Sequence, residues 1–136
     1  MANLSKVVGF DTGFFIRLLQ GHDKAKVVWR SAVSKPQRDS LVSCLSFYEI
    51  QRVALKGAVD KKSAEALLAD LASICTILWL DDSTLLRRAA HIAHGNGMAM
   101  ADALILHSLI KGGATHIYTT DTDMLAYKST HEIVML

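Results

Sequence analysis

Four acidic side chains stand where apolar runs begin or end. Asp11 follows Val7 to Phe10, Glu49 follows Leu41 to Leu45, Asp102 opens an apolar helical stretch, and Asp121 follows Ile117-Tyr118-Thr119. If the fold brings those positions to one edge, four carboxylates share a pocket, and like charges that close are unstable unless protons or a cation neutralise them. Carboxylate oxygens and water suit a hard divalent cation, Mg2+ or Mn2+, which also takes phosphate oxygens as ligands. The chemistry expected of such a pocket is therefore metal-assisted attack on phosphorus.

Each acid also has a plainer reading. Asp11, before Thr12-Gly13, can cap a helix; Ser46-x-x-Glu49 has the form of a capping box; Asp102 suits the positive end of its helix; Asp121 lies in a polar turn. Taken together these readings weaken, because residues such as Val8, Phe10, Phe14, Leu104 and Ile105 crowd the carboxylates with apolar surface. Asp102 is the sharpest case, since it stands alone in Met98–Leu106, where an unpaired charge is costly.

The elements that must position these acids can be read from periodicity. Strands are expected over Val7–Phe10, Leu41–Leu45, Thr76–Leu80, His116–Thr119 and Ile133–Leu136. Helices are expected over Thr12–Leu19, from a cap at Asp23 to Val33, Ser46–Lys56, from a cap at Asp60 to Ser73, Ser83–His94 and Met100–Lys111. Strands that alternate with helices argue for right-handed crossovers and a mainly parallel sheet covered on both faces, a three-layer α/β/α sandwich. Ligands of such sheets bind at the carboxyl ends of the strands, which turns four dispersed acids into one site.

Composition sets the bounds. The 136 residues, 51% hydrophobic, suit one domain over 1–136 with an ordinary core. Fifteen Lys and Arg against 13 Asp and Glu give a net charge of +2, too small to mark a nucleic-acid binder by bulk charge. With four acids gathered in one place, however, the remaining surface is basic. Cys44 and Cys75 fit neither a zinc ribbon nor a disulfide framework and read as reduced thiols of a cytoplasmic protein. No stretch approaches the roughly 18 apolar residues of a membrane helix, so no membrane partner is expected. His91 and His94 lack a third ligand at metal spacing and read as surface residues, His107 reads as a core histidine, and Trp29 and Trp79 as core or interface.

The strings VVGFDTGFF, SCLSFYEI, AMADALILHSL and IYTTDTDM, in this order and spacing, resemble a PIN-domain ribonuclease, most nearly the VapC-type toxins of type II toxin–antitoxin pairs. The resemblance spans nearly the whole chain. It implies a PIN-like α/β/α sandwich and assigns the family's acids to Asp11, Glu49, Asp102 and Asp121, with Asp123 as an auxiliary acid. Asp11, Asp102 and Asp121 would lie nearest the metal, with Asp123 helping to hold a second ion or waters. Thr119 matches a hydroxyl that orders the site, and Thr12 the usual Ser or Thr after the first acid. Met124 departs from a common Phe. The implied activity is Mg2+- or Mn2+-dependent endonucleolytic cleavage of single-stranded or looped RNA, leaving a 5′-phosphate and a 3′-hydroxyl. The implied partners are a second copy and a small antitoxin protein bound near Asp11 and Glu49. The runs Phe14-Phe15-Ile16, Leu18-Leu19 and Ala64 to Leu71, more apolar than a small monomer needs, supply surfaces for them.

Arg52 and Lys56 follow Glu49 at i+3 and i+7, so they share its helix face and suit contact with RNA phosphates, or a plain Glu49–Arg52 ion pair. Two other functions fit the acids. A receiver-type phosphoacceptor domain has an acidic sheet edge, here suggested by Asp81-Asp82, but it wants an acidic pair after its first strand and a Lys after its fifth. A noncatalytic RNA-binding protein of the PIN-like fold would not need all four acids.

Overall fold

The computed structural model describes residues 6–34, 39–121 and 132–136. Asp123 and Met124 lie outside these residues. The elements run β1 (Val8–Phe10), α1 (Thr12–Leu19), α2 (Asp23–Val33), β2 (Ser40–Ser43), α3 (Cys44–Leu55), α4 (Lys61–Ile74), β3 (Thr76–Leu78), α5 (Ser83–Asn96), α6 (Met100–Lys111), β4 (His116–Thr119) and β5 (Glu132–Met135). The strands form one sheet in the order β3-β2-β1-β4-β5, and every pairing is parallel. The expected parallel α/β architecture is the one found.

Strand residues alternate between two cores, as a period of two requires. Phe10 and Val42 are buried on the face covered by α1 to α4, with Val8, Ile77 and Tyr118 packed against them. Leu41 and Ile117 point to the other face, beneath α6 and part of α5, with Leu78 and Ile133 beside them. The first core is aromatic. Phe10 has ring centroids of Phe14, Phe15, Trp29 and Tyr118 at 4.4, 5.6, 5.7 and 5.9 Å. Each fully buried Phe contributes roughly 1.5–3 kcal/mol of transfer free energy, and this cluster lies directly under the carboxyl end of β1.

Several expected boundaries move. β2 ends at Ser43 and not at Leu45, because the Ser43 hydroxyl accepts the Leu45 N–H at 3.2 Å and starts α3 at once. An apolar Cys44-Leu45 pair reads equally well as strand or helix, which hid this junction. The Ser46–Glu49 capping box is consequently absent: Ser46 lies inside α3 and is fully buried. β3 stops at Leu78, and Trp79 beyond it is exposed, unlike the half-buried Trp29. His22, not Asp23, caps α2, its Nδ1 accepting from the Ala25 N–H at 3.3 Å, while Asp23 sits in the first turn. Asp60 caps α4 as expected.

Candidate functional site

The direction of chain progression reverses about β1, with β2 and β3 added on one side and β4 and β5 on the other. In a parallel sheet this switch point opens a crevice at the carboxyl ends of the central strands. Asp11 is the first residue past β1, and its N–H donates to the Tyr118 carbonyl of β4 at 3.1 Å. Its carboxylate does two things. Oδ1 accepts the Phe14 N–H at 2.9 Å and caps α1, so the cap reading and the site reading are both true of one side chain. Oδ2 accepts the Thr119 hydroxyl from the end of β4, and the Thr120 N–H adds a further bond. Thr119 is itself fully buried, and its oxygen accepts the Asp121 N–H at 2.9 Å, which orders the turn carrying that acid.

The second group comes from β2 and α3. Because α3 follows β2 without a loop, its first turns lie over the end of the sheet beside α1. Thr12 donates to Glu49 Oε1 at 2.6 Å, and its oxygen is 2.9 Å from the buried Ser46 hydroxyl. Sequence reading saw Ser46 as a cap and missed this role. The signal available was its spacing from Glu49, which places both near one face of a helix. Arg52 on α3 and Lys56 at its C-cap are exposed, and of the two readings of Arg52 the ion pair with Glu49 does not form, whereas Lys111 and Asp82 do pair at 3.1 Å. Asp102 stands in the first turn of α6, whose cap residue Ala99 supplies no side-chain bond.

Electrostatics tie the four acids together. Asp11 is 4% exposed, and its burial above the aromatic core, with a smaller contribution from the charge of Asp121, pushes its carboxyl from 3.8 up to about 6 in spite of hydrogen bonds that pull it down. Burial raises Asp102 to about 7, helped by a hydrogen bond with the Asp121 carboxyl and by the charges of Asp121, Glu49 and Asp11. Asp11, Glu49, Asp102 and Asp121 therefore form one interacting cluster. Yet among the described residues no three acidic, histidine or cysteine side chains are close enough to hold a metal ion as they stand. Glu49 is turned to Thr12 and Asp102 to Asp121, as expected of carboxylates relieving their repulsion through a shared proton and a hydroxyl. The donor set, carboxylates and hydroxyls only, fits Mg2+ or Mn2+ and not a softer metal.

Gly13 allows the close approach of the β4 turn. A Cβ there would sit 1.9 Å from Thr120 Oγ1, 3.1 Å from Thr120 Cβ and 3.4 Å from Asp11 Oδ1. Elsewhere, Asp82 caps α5 through the Thr84 N–H at 2.8 Å and pairs with Lys111, which accounts for one half of the Asp81-Asp82 pair. His91 and His94 are exposed and His107 is half-buried, its pKa lowered by burial and by Arg88 and Lys111. No described helix is long and apolar enough to cross a membrane.

Residues 9–129 match the family described as PIN domain. No curated protein matches the sequence. Among solved structures, a toxin–antitoxin complex from Klebsiella pneumoniae aligns with a TM-score of 0.67 at 21% identity, over 93% of this chain and 99% of that one. VapBC2 from Rickettsia felis, bound to a DNA fragment from its promoter, aligns with a TM-score of 0.70 at 12% identity, over 96% and 98%. VapC20 of Mycobacterium tuberculosis, a sarcin-ricin loop cleaving toxin, gives 0.68 at 18%, over 92% and 98%.

Proposed function

The chain belongs to the PIN-domain family, and from that membership we propose that it is a metal-dependent endoribonuclease acting as one domain over residues 1–136, the toxin of a toxin–antitoxin pair. The observation that carries this reading is the convergence of charge on Asp102, whose carboxyl senses Asp121, Glu49 and Asp11 from three other segments of the chain. A cluster so loaded is stabilised by a divalent cation. The structural likeness to VapC proteins, one of them described as a sarcin-ricin loop cleaving toxin, supports RNA as the substrate class.

In this reading Asp11, Asp102, Asp121 and Asp123 would hold the cation, and Glu49 would orient water. Mg2+ or Mn2+, when bound, supplies an acidified water and neutralises charge on the phosphoryl oxygens. The chain's own residues do the rest. Thr119 fixes the rotamer of Asp11 and the backbone before Asp121. Thr12, backed by Ser46, holds Glu49. Burial of Asp11 and Thr119 keeps these donors from swinging into solvent. Arg52 and Lys56 receive RNA phosphates.

The test is cleavage of single-stranded RNA by purified protein. Cutting that requires Mg2+ or Mn2+, stops with EDTA and leaves 5′-phosphate ends is expected; equal cutting in EDTA would sink the reading, and binding without cutting would favour the noncatalytic alternative. A receiver-type phosphoacceptor loses support, because Asp82 is committed to α5 and Lys111. We further propose a cytoplasmic homodimer inhibited by a small antitoxin near Asp11 and Glu49. The surfaces expected from Phe14-Phe15 and from Ala64 to Leu71 are not free, since Phe14, Phe15, Ala64, Leu67 and Leu71 are buried in the core; exposed Leu86 and Met100, which line the apolar α5–α6 groove, offer a self-association surface instead. Light scattering that returns the 14.9 kDa monomer mass at micromolar concentration would remove the dimer.

A further inference from the structure

The helix that supplies Glu49 carries a second feature on an adjoining face. Tyr48, Gln51, Arg52 and Leu55 fall at i, i+3, i+4 and i+7 of α3 and therefore form one stripe. With Phe47 of the same helix and Leu68 of α4 they line a shallow, open groove of about 560 Å3. The stripe is unusually bare, with Tyr48 66% and Leu55 67% exposed. No carboxylate lines the groove. Among the described residues the Arg52 guanidinium and the Tyr48 ring have no hydrogen-bond, ion-pair or ring partner.

The groove neighbours the acid cluster through Arg52, which lines it and stands one turn after Glu49 on α3. Glu49 is in turn tied to Thr12 beside Asp11. A strand of RNA whose scissile phosphate lies on the acids reaches this stripe if it runs along α3 past Arg52. An exposed aromatic ring and an unpaired guanidinium on one face are the two elements by which proteins hold single strands, the ring stacking on a base and the cation meeting the backbone. The apolar floor of Phe47 and Leu68 also suits an amphipathic helix. An unpaired cation in a groove without acids, next to a site that handles phosphate, favours the nucleotide.

Resting on the nuclease reading above, we infer that the α3 groove is a nucleotide subsite: the base next to the scissile phosphate of single-stranded RNA stacks on Tyr48, its phosphate contacts Arg52, and Gln51 is positioned to bond the base edge.

Tyr48→Ala, Tyr48→Phe and Arg52→Gln test it, all at exposed positions where folding is not at stake. A fluorescein-labelled, mixed-sequence single-stranded RNA octamer is titrated, with Mg2+, against Asp102→Asn protein carrying each change. Tyr48→Ala is expected to weaken binding roughly tenfold, and Tyr48→Phe to restore it, because stacking needs the ring and not the hydroxyl. Arg52→Gln is expected to weaken binding and lower the salt slope by about 0.7. In the otherwise native enzyme, Tyr48→Ala should raise KM with kcat nearly constant. If parent and variants bind and cleave alike, the subsite falls and the nuclease reading stands. If the changes alter only the molecular mass in light scattering, the groove is a protein contact and the inference is overturned. If the parent neither binds nor cleaves RNA, the nuclease reading itself fails and takes the subsite with it.

Discussion

Of the four acids, Asp11 and Asp102 are held in opposite ways. Asp11 accepts hydrogen bonds from Phe14, Thr119 and Thr120 and caps a helix, so removing its charge also loosens α1 and the β4 turn. Asp102 has no such duty: it caps nothing, and its carboxyl is loaded by like charges. Asp102→Asn is therefore expected to abolish RNA cleavage, by roughly 100-fold or more as for other groups that stabilise transition-state charge, while the circular dichroism spectrum stays unchanged. In EDTA above neutral pH it should also melt at a higher temperature than the native chain, since one repelling charge is gone. Near-normal cleavage by the folded variant would return Asp102 to the role of a helix-dipole acid.

At the level of elements, the site depends on how closely α1 and the β4 turn approach. At an open helical position Gly→Ala stabilises by about 0.5–1 kcal/mol. At Gly13 overpacking wins instead, because the new methyl would meet Thr120, whose branched Cβ has few rotamers to escape into. Gly13→Ala should destabilise the protein by roughly 1–3 kcal/mol and lower cleavage by moving Asp121; a raised melting temperature would show that the turn yields freely. The bounds of α1, α6 and β4 could be read from sequence because glycines and a clean apolar period agree there, with the Asp11 cap in addition at α1. The β2–α3 junction could not, since Cys44-Leu45 fits either period. The gathering of the acids followed from the rule for parallel sheets. The Thr12–Ser46–Glu49 bonds did not, because they join residues 34 and 37 positions apart that meet only once β1 pairs with β2.

For the molecule as a whole, the acid cluster makes stability depend on pH and on metal. Burial pushes the carboxyl of Asp11 from an ordinary 3.8 up to about 6 in the folded chain, and that of Asp102 up to about 7. The folded protein thus binds protons more tightly than the unfolded chain. The stabilisation is complete below the lower value and is lost as pH rises through the upper ones. For the buried Asp11 alone the difference is on the order of 3 kcal/mol; half-exposed Asp102 adds in the same direction. Metal-free protein should accordingly melt at a lower temperature near pH 8 than near pH 5, and Mg2+ should close the gap mainly at the higher pH. A melting temperature flat across that range, or insensitive to Mg2+, would mean that the carboxylates are not stressed. The contact between Thr119 and Asp11 spans 108 positions, and it has a consequence in time. A ribosome adding about 5–20 residues per second makes Asp11 and Glu49 several seconds, and Asp102 about a second or more, before the segment that joins them. Until β4 has been made and has docked beside β1, the growing chain carries three of the acids and no assembled cluster, so whatever the gathered carboxylates do begins only with the last part of the chain.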